Sequence, residues 1–296
     1  MDTVALTLDA VAAAVTGEQP RVLTVGDPPA IPSGPPRRDD PTFELAVRRL
    51  LREQTALEVG YIEQLYTFGD LARADSASCR RVSVTYLALV QEEAPAPTAA
   101  WNDWYAFFPW EDHRVARPSV LSDRVEPELT MWAGGDAGRR RRVRSAFGLG
   151  VAWDPIRVLE RYELLYEVGL VEEAHRDAGT EPPSEMGTGL ALGGDHRRIL
   201  ASALGRLRGK LTYRPVVFEV LPETFTLRLL QRTIEAVIGV HLHTQNFRRL
   251  MERERLVEGT GQRAPSSGGR PPELFRFRRE VVGERPRPGV RFPGYR

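Results

Sequence analysis

Apolar positions dominate two stretches near the start of the chain, 4–15 and 22–25, and both read as strands. A Pro- and Gly-rich stretch, 28–41, follows and predicts turns. The period then changes. Phe43, Ala46, Val47, Leu50 and Leu51 recur at helical spacing, Arg48, Arg49, Arg52 and Glu53 fall on the opposite side, and Thr42 is placed to cap the helix. Further strands are predicted over 61–68, over 82–90, where Val82, Val84 and Tyr86 alternate, and over 105–108. Strands mixed with single helices exclude a helical bundle. Residues 114–186 read as a separate, partly helical piece, with an amphipathic helix over 155–175 striped by Leu159, Tyr162, Leu165, Tyr166 and Leu170. A polar, Gly-rich patch over 177–189 leads to another helix over 195–211, whose Ile199, Leu200, Ala203, Leu204 and Leu207 share one face.

The C-terminal third has a different pattern. Leu227, Leu230, Ile234, Val237 and Ile238 keep helical spacing until Gly239, a good stop signal. After four connecting residues Thr244 reads as the cap of a second helix, with Phe247, Leu250 and Met251 on one side and Gln245, Arg248 and Arg249 on the other. Two short helices joined by a tight turn, the second basic on its outer face, make the helix-turn-helix pattern. The Gly- and Arg-containing stretch 259–272 and the alternating Leu274-Phe275-Arg276-Phe277 add a β-hairpin wing. In such a module the second helix meets base edges and the wing meets phosphates. The expected DNA-contacting residues are Thr244, Gln245, Asn246, Arg248 and Arg249 on the helix, with Arg263 and Arg270 on the wing.

Charge sharpens this division. The 296 residues carry a net charge of +1. Residues 1–195 hold 20 Lys+Arg against 31 Asp+Glu, whereas residues 196–296 hold 21 against 9, so a charge of +12 is concentrated in about a third of the chain. A polyanion is the partner this favours. Hydrophobic residues make up 42% of the chain, enough to bury a core in more than one domain. A lone cysteine, Cys79, excludes an internal disulfide framework, and no Cys/His spacing matches a structural zinc site. No basic leader and no long apolar run occurs, so a cytoplasmic location is expected, with no membrane partner.

The run from Ala46 to Leu57 resembles the helix of a Nudix box, G-x5-E-x7-R-E-U-x-E-E-x-G-U with U apolar. Arg49 matches the arginine, Leu51 and Leu57 match apolar positions, and Glu53 matches the first of the paired glutamates. Leu50 stands in place of a glutamate, Gln54 replaces the second of the pair, Ala56 replaces the glycine, and Pro35 and Pro41 replace the leading Gly and Glu. Hydrolysis of a diphosphate by this motif needs several carboxylates on one helix face to hold Mg²⁺ or Mn²⁺. The resemblance therefore implies no catalytic residues, no metal ligands and no cofactor. Arg48, Arg49, Arg52 and Glu53 remain as candidates for binding a phosphorylated effector.

A degenerate Nudix domain joined to a winged helix is similar to the NrtR family of bacterial regulators of NAD metabolism. The blocks that carry this likeness are Tyr66-Thr67-Phe68-Gly69-Asp70, the strand from Val82 to Leu89, and Leu204-Gly205-Arg206-Leu207-Arg208-Gly209-Lys210. It continues in Leu221-Pro222-Glu223-Thr224-Phe225, Asn246-Phe247-Arg248-Arg249 and the run from Gly268 to Phe277. The long form also resembles the NadQ group of NAD-synthesis regulators. The resemblance implies an α+β chain, a Nudix-like α/β/α sandwich followed by a winged helix-turn-helix. Its expected divisions are a Nudix-like effector domain over 1–113, an insertion over 114–186, and a connecting helix over 187–212 that closes the Nudix-like domain. The winged helix-turn-helix then occupies 213–280 and a flexible tail 281–296. The implied function is a homodimeric repressor on a palindromic duplex operator, released by an NAD-related nucleotide such as ADP-ribose. The competing expectations are a residual Nudix hydrolase, using Glu92, Glu93, Glu111 or Asp112 in place of the lost carboxylates, and an RNA or single-strand binder. The latter lacks the aromatic-rich basic strand on which bases stack.

Overall fold

The computed structural model describes residues 3–69, 79–183, 186–265, 271–284 and 289–290. Its main sheet has the order β4-β5-β1-β2-β6, with β3 paired to β1. These strands are β1 (Thr3–Thr16), β2 (Gln19–Val25), β3 (Ser33–Gly34), β4 (Tyr61–Phe68), β5 (Cys79–Leu89) and β6 (Ala99–Asp103). β1 and β2 form a hairpin whose two turn residues, Gly17 and Glu18, both take positive φ, the conformation that matches the twist of paired strands. β1 is central and runs parallel to β5, so both its faces are covered and its sequence is apolar almost throughout.

The alternation along β1 assigns each side chain to a layer. Leu8, Ala10, Ala12 and Ala14 pack with Ala46, Val47, Leu50 and Leu51 of α1 (Phe43–Thr55) on one face. Val11 and Ala13 point to the other face and join a core containing Ile199, Leu204, Ile234 and Leu250. The expected α/β/α sandwich and winged helix are both present. Thr42 caps α1 by accepting from Leu45 N at 3.2 Å.

The second layer is built from helices of three parts of the chain. These are α3 (Glu126–Ala133), α4 (Ala137–Phe147), α5 (Val158–Val168) and α6 (Glu172–Ala178), the long α7 (His196–Leu211), and α8 (Leu227–Ile238), which packs on β1 and β2. One continuous apolar core therefore joins the sheet, residues 114–186 and the first helix of the helix-turn-helix.

Three local expectations differ from the structure. Residues 104–107 form a short helix, α2 (Trp104–Phe107), because Asp103 caps it through Tyr105 N; the strand lies just before it, in β6. The helix expected over 155–175 is two helices, since Gly169 takes φ +76° and ends α5. The tail from 281 is not free along its described length: 281–284 forms α10 (Val281–Glu284), and Val281 and Val290 are fully buried. Val290 N donates to Leu211 O at 2.7 Å.

Candidate nucleic-acid interface

The helix-turn-helix consists of α8 and α9 (Thr244–Glu254), and the wing of β7 (Thr224–Phe225), β8 (Val257–Arg263) and β9 (Glu273–Phe277) in the order β7-β9-β8. α8 is capped by Thr226, whose hydroxyl accepts from Leu229 N at 3.1 Å. α9 is anchored by buried Phe247, Leu250 and Met251, leaving Thr244, Gln245, Asn246, Arg248 and Arg249 exposed on one outer face. Neither Arg248 nor Arg249 has a hydrogen-bond or ion-pair partner among the described residues. Two free guanidiniums on a rigid helix are suited to bidentate contacts with guanine edges or to phosphates. Arg263 is exposed at the end of β8, opposite Glu273, and Arg270 lies outside the described residues. His243 rather than Thr244 occupies the N-cap of α9, and the Thr244 hydroxyl instead faces the Gln231 amide at 3.5 Å.

The turn between the two helices is fixed by a buried carboxylate. Glu235 accepts from Leu242 N and from the Gln231 amide, both at 2.8 Å, lies 3.0 Å from His241 Nδ1, and pairs with Arg232 at 3.0 Å. Gln231 also donates to Leu242 O at 2.8 Å. The angle between α8 and α9 is thus set by side chains and not by the connecting loop alone.

A second polar node ties this turn to the rest of the molecule. Glu111, Arg161 and Arg208 are all fully buried, and both guanidiniums bind the one carboxylate, Arg161 Nη2 at 2.9 Å from Oε2. Burial raises the Glu111 carboxyl, but the two arginines outweigh it and hold it below the ordinary range. Arg208 Nε donates to Val237 O at 2.9 Å, Tyr105 Oη to Ala236 O at 2.7 Å, and His113 N to Gly239 O at 2.7 Å. The carbonyls that α8 leaves unpaired at its end are therefore satisfied by residues from the Nudix-like domain and α7. Burial pushes the Tyr105 hydroxyl up to about 12, so it stays a donor. Gly239, at φ +74°, is required here twice over, because a Cβ would lie 2.3 Å from Glu111 O.

On the opposite face of the sheet, α1 shows what became of the Nudix-like carboxylate cluster. Leu50 is buried in the sheet-facing core. Gln54 clamps β3, accepting from Ser33 N at 3.2 Å and donating to Ser33 O at 2.8 Å. Glu53 is held by Arg37 at 2.9 Å and Arg49 at 3.1 Å. Arg49 also grips Asp40 with two hydrogen bonds, 2.9 and 2.7 Å, which together with the Arg37 backbone N–H lower the Asp40 carboxyl to about 2. Arg48 binds Glu44 and the carbonyls of Val59 and Gly60, and Arg52 binds Glu58. The four candidate effector residues thus lie together on α1, Arg52 and Glu53 exposed and Arg48 and Arg49 half-buried, each held by an opposite charge. Among the described residues no group of three or more His, Cys, Asp or Glu is placed to hold a metal ion. Two of the four carboxylates considered as substitutes are occupied elsewhere: Glu111 lies in the buried node and Asp112 pairs with Arg114 at 2.8 Å, while Glu92 lies 3.6 Å from Arg21.

The class defined by these features is a winged-helix domain built onto a Nudix-like sandwich. Residues 217–277 match the model of the NrtR DNA-binding winged helix domain. The chain is 37% identical over 93 residues to the ADPR responsive transcriptional repressor NtrR of Acinetobacter baylyi, a match covering 31% of this chain and 37% of that protein. The crystal structure of Shewanella oneidensis NrtR complexed with a 27mer DNA superposes with a TM-score of 0.58 at 23% identity, over 94% of this chain and 95% of that one. A MutT/nudix family protein from Enterococcus faecalis gives 0.57 at 18% identity, over 94% and 88%. The chain is thus similar to the NrtR winged helix over residues 217–277, and its fold as a whole is a Nudix-like sandwich with a winged helix. Among the described residues no helix is long and apolar enough to cross a membrane.

Proposed function

We propose that this protein is a DNA-binding transcriptional repressor of NAD-metabolism genes, acting in the cytoplasm as a homodimer on a palindromic operator and responding to an NAD-related nucleotide such as ADP-ribose. The observation that carries this reading is the pair Arg248 and Arg249, exposed and without a partner among the described residues, on a helix anchored by buried Phe247, Leu250 and Met251. Such a pair does nothing for the fold, and it has the geometry for the major groove. Support comes from the matched winged-helix domain and from the Acinetobacter relative, whose name gives it a response to ADPR.

The Nudix-like domain serves as receiver and not as enzyme on this reading. Leu50 and Gln54 are both committed to packing and to β3, and a single carboxylate, Glu53, is left on the helix and bound by two arginines. An incoming diphosphate would exchange the Asp40 and Glu53 carboxylates at Arg49 and Arg37 for its own oxygens, with Arg48 and Arg52 beside them. Movement reaches the helix-turn-helix through contacts at the end of α8, where Tyr105, Arg208 and His113 hold its carbonyls. An effector that favours one arrangement of the two winged helices over the other shifts their spacing, and operator DNA must weaken effector binding by the same factor.

The test is binding to the promoter DNA that the protein occupies in cells. Arg248→Ala with Arg249→Ala should cost at least about 10-fold in affinity per arginine, with no change in melting temperature. Addition of ADP-ribose should release wild-type protein from the DNA, and Arg49→Ala should blunt that release. Intact sequence-specific binding by the double variant would overturn the interface.

A further inference from the structure

We propose that α4 is a second, sequence-independent DNA-binding surface that grips phosphates outside the base-reading contacts of α9; the inference rests on the DNA-binding reading above. α4 carries five exposed arginines in 11 residues, within a part of the chain that is otherwise net acidic. What matters is how little of this charge is cancelled. Among the described residues, Arg142 is the one arginine of α4 in an ion pair, with Glu167 at 2.6 Å. Arg139, Arg140 and Arg144 donate to the carbonyls of Trp132, Gly134 and Gly150, which orients the guanidiniums without neutralising them. Arg139 also stacks on the Trp132 ring at 4.7 Å. Arg141 has no partner among the described residues.

Nearby carboxylates supply only part of the countercharge: Asp136, which accepts from Arg139 N at 2.8 Å, also attracts the Arg139 and Arg140 guanidiniums through space, and Glu167 attracts Arg139. Glu160 pairs with Arg157 at 2.6 Å and Glu163 with Arg198 at 2.8 Å, across a shallow groove of about 560 Å³ that Arg141 and Arg142 line. Set against Asp136 and Glu167, the five arginines leave about three positive charges along a helix roughly 16 Å long. Over that length a duplex presents about nine phosphate charges. The apolar residues of α4, Val143, Ala146 and Phe147, are buried, so the outer face offers no large apolar anchor of the kind a protein interface requires. A polyanionic backbone fits it better than an acidic protein does.

The helix is also rigidly connected to the DNA-reading element. Ala146 O, near its C-terminus, accepts from Arg161 Nη1 at 2.9 Å; Arg161 shares Glu111 with Arg208, and Arg208 holds the end of α8.

The experiment measures affinity for an arbitrary-sequence duplex of about 40 base pairs by fluorescence anisotropy at several salt concentrations between about 50 and 200 mM. It compares wild type, the variant Arg139→Ala/Arg140→Ala/Arg141→Ala/Arg144→Ala, and Arg141→Glu, which breaks no contact of the fold. The quadruple variant should lower the slope of log K against log salt by about 3 or more per chain. Arg141→Glu should weaken low-salt binding several-fold while circular dichroism stays unchanged. Equal slopes for wild type and the quadruple variant, together with equal affinity for Arg141→Glu, overturn the proposal and leave the helix to an acidic protein or to solvent. Failure of wild type to bind any duplex overturns this inference and the DNA-binding reading together, so the two failures are distinguishable.

Discussion

Replacing Glu111 by Gln tests whether the buried node holds the DNA-binding element to the Nudix-like domain. The substitution keeps volume but removes the one carboxylate that two fully buried guanidiniums share, and it turns one of the two acceptor oxygens into an N–H donor facing them. Breaking a buried ion pair from one side costs about 3–5 kcal/mol, because the charge left behind has no solvent to turn to. Here two such charges remain, although carbonyls of Ala146, Asp154, Pro155 and Val237 continue to bind them. The expected loss is therefore at the lower end, about 3 kcal/mol, or on the order of 10 °C in melting temperature. The pH dependence gives an independent check. The Glu111 carboxyl is depressed in the folded protein, so its stabilisation is complete above the unfolded value of about 4.3 and is lost as pH falls through the lower, folded value. Urea denaturation followed by circular dichroism between neutral pH and acid should show that this component of acid destabilisation is missing in the variant. A loss below about 1 kcal/mol at neutral pH, with an unchanged acid limb, would refute the idea that the node is desolvated and structural.

Two further substitutions probe α1. Gln54→Glu removes the donor to Ser33 O and sets a carboxylate against that carbonyl, so it should cost about 1–3 kcal/mol by denaturant titration. Calorimetry should detect no Mg²⁺ binding to that variant, since Leu50 still lacks a ligand atom. Ala56 ends α1 at φ +62°, the left-handed conformation at the position where the Nudix pattern carries glycine. Ala56→Gly should therefore stabilise the protein, by about 1 kcal/mol, and an unchanged or lower melting temperature would contradict the strain argument.

Much of the architecture is legible in the chain itself, because the signals are local. Helical spacing from Phe43 and again from Thr244, the Thr42 cap, the stop at Gly239 and the apolar β1 depend on neighbours within a few residues, and these elements form where the pattern places them. The break at Gly169 was equally local in cause, but Tyr166 and Leu170 continue the apolar stripe through it and mask the glycine.

What the sequence determined, then, is most of the helices and strands, which faces are apolar, and that a basic helix-turn-helix follows a Nudix-like domain whose box has Leu50 and Gln54 in place of glutamates. It could not determine the fate of individual charges. Arg197 and Arg208 contribute to the +12 of the C-terminal third, yet both are fully buried: Arg208 lies against Glu111, and Arg197 pairs with Glu173 among the rings of Phe108, Trp110 and Tyr162. Glu111 reads as a spare catalytic carboxylate and is a structural one. Arg48, Arg49 and Arg52 read as candidate phosphate ligands and each has a partner, whereas Arg248 and Arg249 have none among the described residues. The reason is physical. Periodicity is a property of adjacent residues, but the pairing of a charge depends on residues tens of positions away, such as the 97 between Glu111 and Arg208, which come together only when the chain has folded.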